Sequence, residues 1–222
     1  MKSNETLQKD VQEAIKWEPL LHAAEIGVIV HDGVVTLTGN VDSYAKKKEA
    51  ETAAKNVAGV KAVVDDIEVK LDQGAVKNDT DIANQVIKEL KSNLTVPDSR
   101  IKVIVDNGWV TLEGILQWNF QREAAINAIK YLTAVRGVIN KIKIQSEVND
   151  EIEKKKVEDA LRRNWAIDSD KIHVSAHGTT ITLSGIVDSV FQKDEAERIA
   201  WKTPGIWYVD NLLVVEYNYL HA

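Results

Sequence analysis

The sequence predicts an α+β protein of three tandem modules. Each module is ordered helix, strand, strand, helix, strand, giving a three-stranded mixed sheet covered on one face by two helices. Three observations lead there. The stretch "DGVVTLTGNVDS" at 32–43 returns as "NGWVTLEGILQW" at 107–118 and as "GTTITLSGIVDS" at 178–189. Anchored on Gly39, Gly114 and Gly185, the copies lie 75 and 71 residues apart, and the same offsets superpose Val11, Val86 and Val157, then Ile26, Ile101 and Ile172. Within each copy the apolar spacing changes from four residues to two, the mark of a helix followed by strands.

The first helix of each module is carried by Leu7, Val11 and Ile15, and again by Ile82, Val86 and Leu90, which make one buried stripe on an otherwise polar surface. Ile26, Val28 and Val30 then alternate with smaller or outward residues, Asp32-Gly33 supplies a turn tolerant of positive φ, and Val35 and Leu37 alternate with threonines: a β-hairpin. After Gly39 a second helix begins, with Asp42 or Ser43 placed to accept from free first-turn amides; Ser189 and Gln192 have capping-box spacing. Ala50, Ala53, Ala54 and Val57 let this helix lie close to the sheet, and Gly59 suits its C-terminal stop. A last strand turns Ile67 and Val69 inward. Its counterparts are "VRGVINKIKI" and "IWYVDNLLVV"; with copy three read as one residue short here, Asp65-Asp66 stands opposite Asn140-Lys141 and Asp210-Asn211.

These copies set domains at 1–72, 80–147 and 150–222, joined by the short polar linkers "DQGAVKNDT" and "EVND". Units of this size are near the small end of what folds independently. The chain is 44% hydrophobic and 28% charged, too aliphatic for disorder. It contains no cysteine, which removes disulfides, thiolate metal sites and cysteine nucleophiles. The N-terminal "MKSNETLQKDVQEAIKW" has no apolar core of signal-peptide length, so the expected location is cytoplasmic, with a periplasmic one as the alternative if a signal sequence has been removed.

The combination of G-x-V-T-L-x-G in the hairpin with G-V-x-x-V-x-N/D before the last strand, in all three copies, resembles the BON domain family, named for bacterial OsmY and nodulation proteins. Thr179 in place of the motif's first glycine, Ala134 in place of the helix-stop glycine, and Ala62 and Gly137 near the last strand are local departures. The resemblance implies non-catalytic modules, commonly periplasmic, linked to envelope integrity and osmotic stress, with phospholipid binding proposed for some members. It brings no catalytic residues and no cofactor.

The residues themselves offer little chemistry. His173 and His177 have a spacing that serves a metal on a helix, but they fall on a strand and its turn, where two solvated histidines are the simpler account. Asp65-Asp66 reads as a turn element rather than an acid/base dyad. There is no Walker loop, no G-x-G-x-x-G after a strand and no nucleophile elbow, so a non-enzyme is expected, without metal or cofactor.

Charge separates the copies. Residues 7–71 carry 8 Lys/Arg against 11 Asp/Glu, residues 82–146 carry 9 against 5, and residues 151–217 carry 9 against 12. Only the middle copy is basic, and at its second helix start "LQWNFQRE" sets Trp118 and Phe120 beside Arg122. Rings next to a cation suit the headgroup boundary of an anionic phospholipid membrane; burial against a neighbouring repeat is the plainer alternative. Nucleic acid is not an expected partner, since net charge is −6 and no arginine-rich segment or G-x-x-G clamp is present. The competing partner is another protein, in a scaffold or chaperone-like role, or a second copy of the chain. By alternation Ile29, Ile104 and Trp109 point away from the helices, and Leu213, Val215 and Tyr217, with Trp207 nearby, are expected to need a cover.

Overall fold

The computed structural model describes residues 2–21, 25–71, 78–145, 154–203 and 206–216. Repeat 1 comprises α1 (Asn4–Trp17), β1 (Ile26–His31), β2 (Val34–Val41), α2 (Tyr44–Lys55) and β3 (Ala62–Val69). Repeat 2 comprises α3 (Asp79–Ser92), β4 (Ile101–Asp106), β5 (Trp109–Leu116), α4 (Asn119–Lys130) and β6 (Gly137–Ile144). Repeat 3 comprises α5 (Lys154–Arg162), β7 (Ile172–His177), β8 (Thr180–Val187), α6 (Val190–Ala200) and β9 (Tyr208–Val215). Each repeat has its own three-stranded sheet, in the orders β1-β2-β3, β4-β5-β6 and β7-β8-β9. The hairpins pair antiparallel, whereas β6 and β9 return through a helix and pair parallel with β5 and β8, which makes these sheets mixed.

Local chemistry fixes the helix starts. Ser3 and Asn78 are N-caps whose side chains accept from the amides of Thr6 and Asp81. The buried stripes are Leu7, Val11 and Ile15 on α1, Ile82, Val86 and Leu90 on α3, and Val157 and Leu161 on α5. At α6 the Ser189 hydroxyl accepts from the Gln192 amide, but the Gln192 carbonyl reaches back one residue further than a capping box, to the amide of Asp188.

The motif glycines have separate tasks. In repeats 1 and 2 the turn dipeptides Asp32-Gly33 and Asn107-Gly108 both hold positive φ, a type I′ turn. Their amides are held from the first turn of the first helix: Asn4 Oδ1 accepts from Asp32, and the Asp79 carboxylate accepts from Asn107 and Gly108. In repeat 3 the turn keeps its place between His177 and Thr180, but its glycine stands first rather than second. Gly178 is left-handed and Thr179 is not, the pattern of a type II′ turn, which explains how a threonine is accepted there. The second glycine answers to close approach: a Cβ on Gly39 or Gly185 would stand 1.9 or 2.0 Å from the carbonyl oxygen of Glu25 or Lys171 where the first strand begins.

Two readings of the last strand are corrected by register. Repeat 3 is not one residue short, because Leu112 faces Asn140 and Leu183 faces Asn211, so the offset of 71 runs on unbroken. The equivalent residues are therefore Asp65, Asn140 and Asn211, and each side chain accepts from the amide two residues on, of Ile67, Ile142 and Leu213. The same register turns Leu213 inward. It is 2% exposed within the core of repeat 3, beside Ile181, Leu183 and Ala196, and Val215 packs against that core. Leu213 and Val215 are thus covered by their own helices, and the exposed partners on β9 are Leu212 and Val214. Tyr217 lies outside the described residues.

By its contacts the chain divides into two compact units, described parts of 1–39, 49–67 and 148–222 in one and of 40–48 and 68–147 in the other. Within the first unit Lys55 of α2 donates to Asp194 of α6 at 3.2 Å and pairs with Glu51 at 3.0 Å. Burial alone would lower the Lys55 pKa, but the two carboxylates outweigh it and hold it above the usual lysine value.

Candidate functional site

The second-helix start of repeat 2 places its three predicted residues unequally. Trp118 precedes α4 with its backbone N–H donating to Gln121 Oε1, and its ring is half-buried. Phe120 is 56% exposed on the first turn, and Arg122 is half-buried one residue beyond Gln121. The position of Phe120 is repeated by Phe191 at the start of α6, also exposed, while repeat 1 has the buried Ala45.

A second set of exposed apolar residues is not indicated by helix or strand periodicity. After α3 the side chain of Asn93 accepts from the amide and hydroxyl of Thr95, closing an Asx turn around Leu94. After α5, Asn164 Oδ1 accepts from the amide of Ala166 and closes the same turn around Trp165. The central residue of such a turn points outward: Leu94 is 100% exposed and Trp165 96%. Repeat 1 has Glu18-Pro19 at these places instead, and its exposed apolar residue is Trp17, two residues earlier at the end of α1 and 82% exposed. The signal in the sequence was a large apolar residue beside a turn-forming asparagine, off the helix stripe.

In repeat 3 these two features share one groove between α5 and α6, lined by Trp165, Phe191, Arg163, Arg198, Ile199 and Lys202. Arg198 grips the Glu195 carboxylate with two nitrogens, and Asn164 Nδ2 donates to the same carboxylate at 2.8 Å. The Arg198 hydrogen bonds hold the Glu195 carboxyl below the usual carboxylate range, against the opposing effect of burial. Rings, an aliphatic floor and cations thus lie together on the helix side of this repeat. By the 71-residue offset, Leu94 and Phe120 stand at the corresponding places of repeat 2, the basic copy.

The opposite sides of the sheets carry other predicted residues. Ile29 is 61% exposed on β1, and Ile104 and Trp109 are exposed on β4 and β5. The Trp109 ring lies flat across Gly137, where a Cβ would come within 2.3 Å of it. Trp207, one residue before β9, is half-buried with its indole N–H enclosed and unpartnered among the described residues.

The candidate chemical pairs are separated by geometry. His173 and His177 lie four residues apart along β7, which at about 3.3 Å per residue is about 13 Å, too far for two ligands of one ion. Asp65 and Asp66 alternate to opposite faces of β3. Among the described residues no group of three or more His, Asp or Glu could hold a metal ion, and no helix is long and apolar enough to cross a membrane.

Comparison with known proteins agrees with this architecture. The BON domain family matches residues 3–70, 78–146 and 149–217, nearly the whole chain. The chain belongs to the BON domain family. Among its relatives is the osmotically inducible protein Y of Escherichia coli, 32% identical over 127 residues, which covers 55% of this chain and 63% of the relative. The match thus spans under two thirds of that protein's length. Others are a 21 kDa hemolysin of Actinobacillus pleuropneumoniae, 30% identical over 61% of this chain and 67% of the relative, and the outer membrane lipoprotein DolP of Haemophilus influenzae, 28% identical over 63% and 74%.

Proposed function

We propose that this BON protein associates reversibly with anionic phospholipid surfaces, in envelope maintenance or the response to osmotic stress, and acts by binding rather than by catalysis. The observation that carries the reading is the full exposure of Leu94 and the exposure of Phe120 on the helix side of the one repeat with an excess of basic residues. Water is the least favourable surrounding for such side chains, and an Asx turn that projects Leu94 outward keeps it from collapsing onto its own core. The printed names of two relatives, an osmotically inducible protein and an outer membrane lipoprotein, support the same setting.

Magnitudes favour weak, reversible attachment. Transfer of Leu94 is worth about 2 kcal/mol and that of the exposed part of Phe120 about 1 kcal/mol. Two or three cations near an anionic surface add about 1 kcal/mol each. The sum, about 5–6 kcal/mol, corresponds to a dissociation constant near 0.1 mM for one repeat. The groove of Trp165 and Phe191 on repeat 3 strengthens attachment when both repeats engage one surface.

Liposome co-sedimentation tests this. Phosphatidylglycerol or cardiolipin vesicles are expected to carry the chain down at low salt and to release it at high salt, phosphatidylcholine vesicles are not, and Trp118→Ala/Phe120→Ala weakens the binding. Absence of binding to anionic vesicles at every salt concentration overturns the proposal, as does binding unchanged by the double substitution together with Leu94→Ser.

A further inference from the structure

The outer sheet faces of repeats 1 and 2 are built alike in apolar content and oppositely in charge. In repeat 2 one cross-strand row reads Ile104, Thr111, Ile139 from edge to edge. In repeat 1 Ile29 pairs with Thr36, and Val64 holds the equivalent place on β3. Ile29, Val64, Ile104 and Ile139 are all exposed. The same row in repeat 3 is Ser175, Thr182, Asp210, so that repeat offers no such stripe. Flanking the stripe, β3 presents Asp66 and Glu68 outward where β6 presents Lys141 and Lys143, and β4 adds Lys102 where β1 has Gly27. Local neighbours reduce these charges without cancelling them: Lys70 lies 3.7 Å from Glu68, and Glu113, in register with both Lys102 and Lys141, lies 3.4 Å from Lys141.

We infer that the outer face of repeat 1 mates with the outer face of repeat 2 in a second copy of this chain, in a reciprocal dimer that contains the contact twice. Like faces repel, since repeat 1 on repeat 1 sets acids against acids and repeat 2 on repeat 2 sets lysines against lysines; the mixed pairing brings Asp66 and Glu68 to the lysine face. Two three-stranded faces with β-branched centres stack as the halves of a β-sandwich, about 10 Å apart.

Area argues for the reciprocal form. Three strands about 4.8 Å apart and about 26 Å long present roughly 370 Å². One such contact buries about 750 Å² in total, the size of a casual contact, whereas two bury about 1,500 Å², the size of a stable specific interface. A closed two-fold dimer satisfies both faces of both chains and leaves neither exposed for further growth. Trp109, fixed across Gly137 at one end of the lysine face, is the residue placed to anchor the contact.

The inference is independent of lipid binding, which the helix side carries. Sedimentation equilibrium of the full chain is expected to show a monomer–dimer transition. Asp66→Lys/Glu68→Lys and, separately, Lys141→Glu/Lys143→Glu each weaken it about tenfold or more, and the quadruple charge exchange restores it. All four positions are exposed, so folding is retained and circular dichroism verifies it. A zero-length carboxyl-to-amine cross-linker applied to an equal mixture of ¹⁴N and ¹⁵N chains is expected to join the acids of β3 to the lysines of β6 in mixed-isotope pairs. A chain monomeric at every concentration, cross-links found only within one isotope, or a quadruple exchange that fails to restore association overturns the dimer.

Discussion

Replacing Gly185 by alanine tests why the repeated motif ends in glycine. Gly185 holds φ at 121° and faces Ile172 at the first pair of the β7–β8 hairpin. An added Cβ would lie 2.0 Å from the Lys171 carbonyl oxygen, where real Cβ contacts essentially never fall below 3.0 Å. The strand start must therefore retreat by about 1 Å, an estimate set by van der Waals contact. The unfavourable φ costs about 1–2 kcal/mol. Loss of one or two ladder hydrogen bonds adds about 1 kcal/mol each, so the total is about 3 kcal/mol. A module of this size is stable by only about 3–10 kcal/mol. Gly178 is the control: its φ is 58°, but no atom lies within 4 Å of its added Cβ, so Gly178→Ala costs only about 1 kcal/mol. Amide hydrogen exchange of the full chain, read on the peptides of β8 and β9, measures both. Gly185→Ala is expected to accelerate their exchange about 100-fold and Gly178→Ala about fivefold. Equal acceleration in the two variants, or parental rates in Gly185→Ala, would refute the close-approach argument.

Two further outcomes follow from the same geometry. Gly137→Ala pushes the Trp109 ring off the strand, so one of the six indole N–H resonances moves while the others stay, at a cost of about 1 kcal/mol in stability; an unmoved spectrum contradicts the stacked arrangement. Glu195, whose carboxyl is held low by Arg198 and Asn164, contributes stability that is present above its unfolded value and lost as pH falls through its depressed folded value. Thermal unfolding from pH 7 down to pH 2 is therefore expected to show Glu195→Gln less stable than the parent near neutrality and equal to it at the acid end, and a difference independent of pH would contradict this.

Much of the fold was legible because each element obeys a local rule that the repeats state three times. The stripes of Leu7, Val11 and Ile15 and of Ile82, Val86 and Leu90, the Asp32-Gly33 turn and the inward Val35 and Leu37 all lie where periodicity and turn chemistry put them. The last strand of repeat 3 is apolar at successive positions, "LLVV", so alternation alone does not say which side faces the helices. The decision rests on Asn211, whose inward side chain donates to the Lys193 carbonyl and to Glu197 and carries Leu213 inward with it. At the candidate site Phe120 was visible as an aromatic beside a basic helix start. Leu94 and Trp165 were not, because they belong to no period: an asparagine turn projects them, and only the fold shows that Trp165 and Phe191 line one groove.

The central claim is attachment to anionic lipid through the helix side, and hydrogen exchange of the full chain with and without phosphatidylglycerol vesicles tests it most directly. Slowed exchange at residues 93–96 and 118–122, accompanied only by the corresponding segments 164–167 and 189–193 of repeat 3, with the strands of the outer sheet faces unchanged, is the predicted result. No protection anywhere, or protection confined to the strands at 102–106 and 137–143, would contradict it.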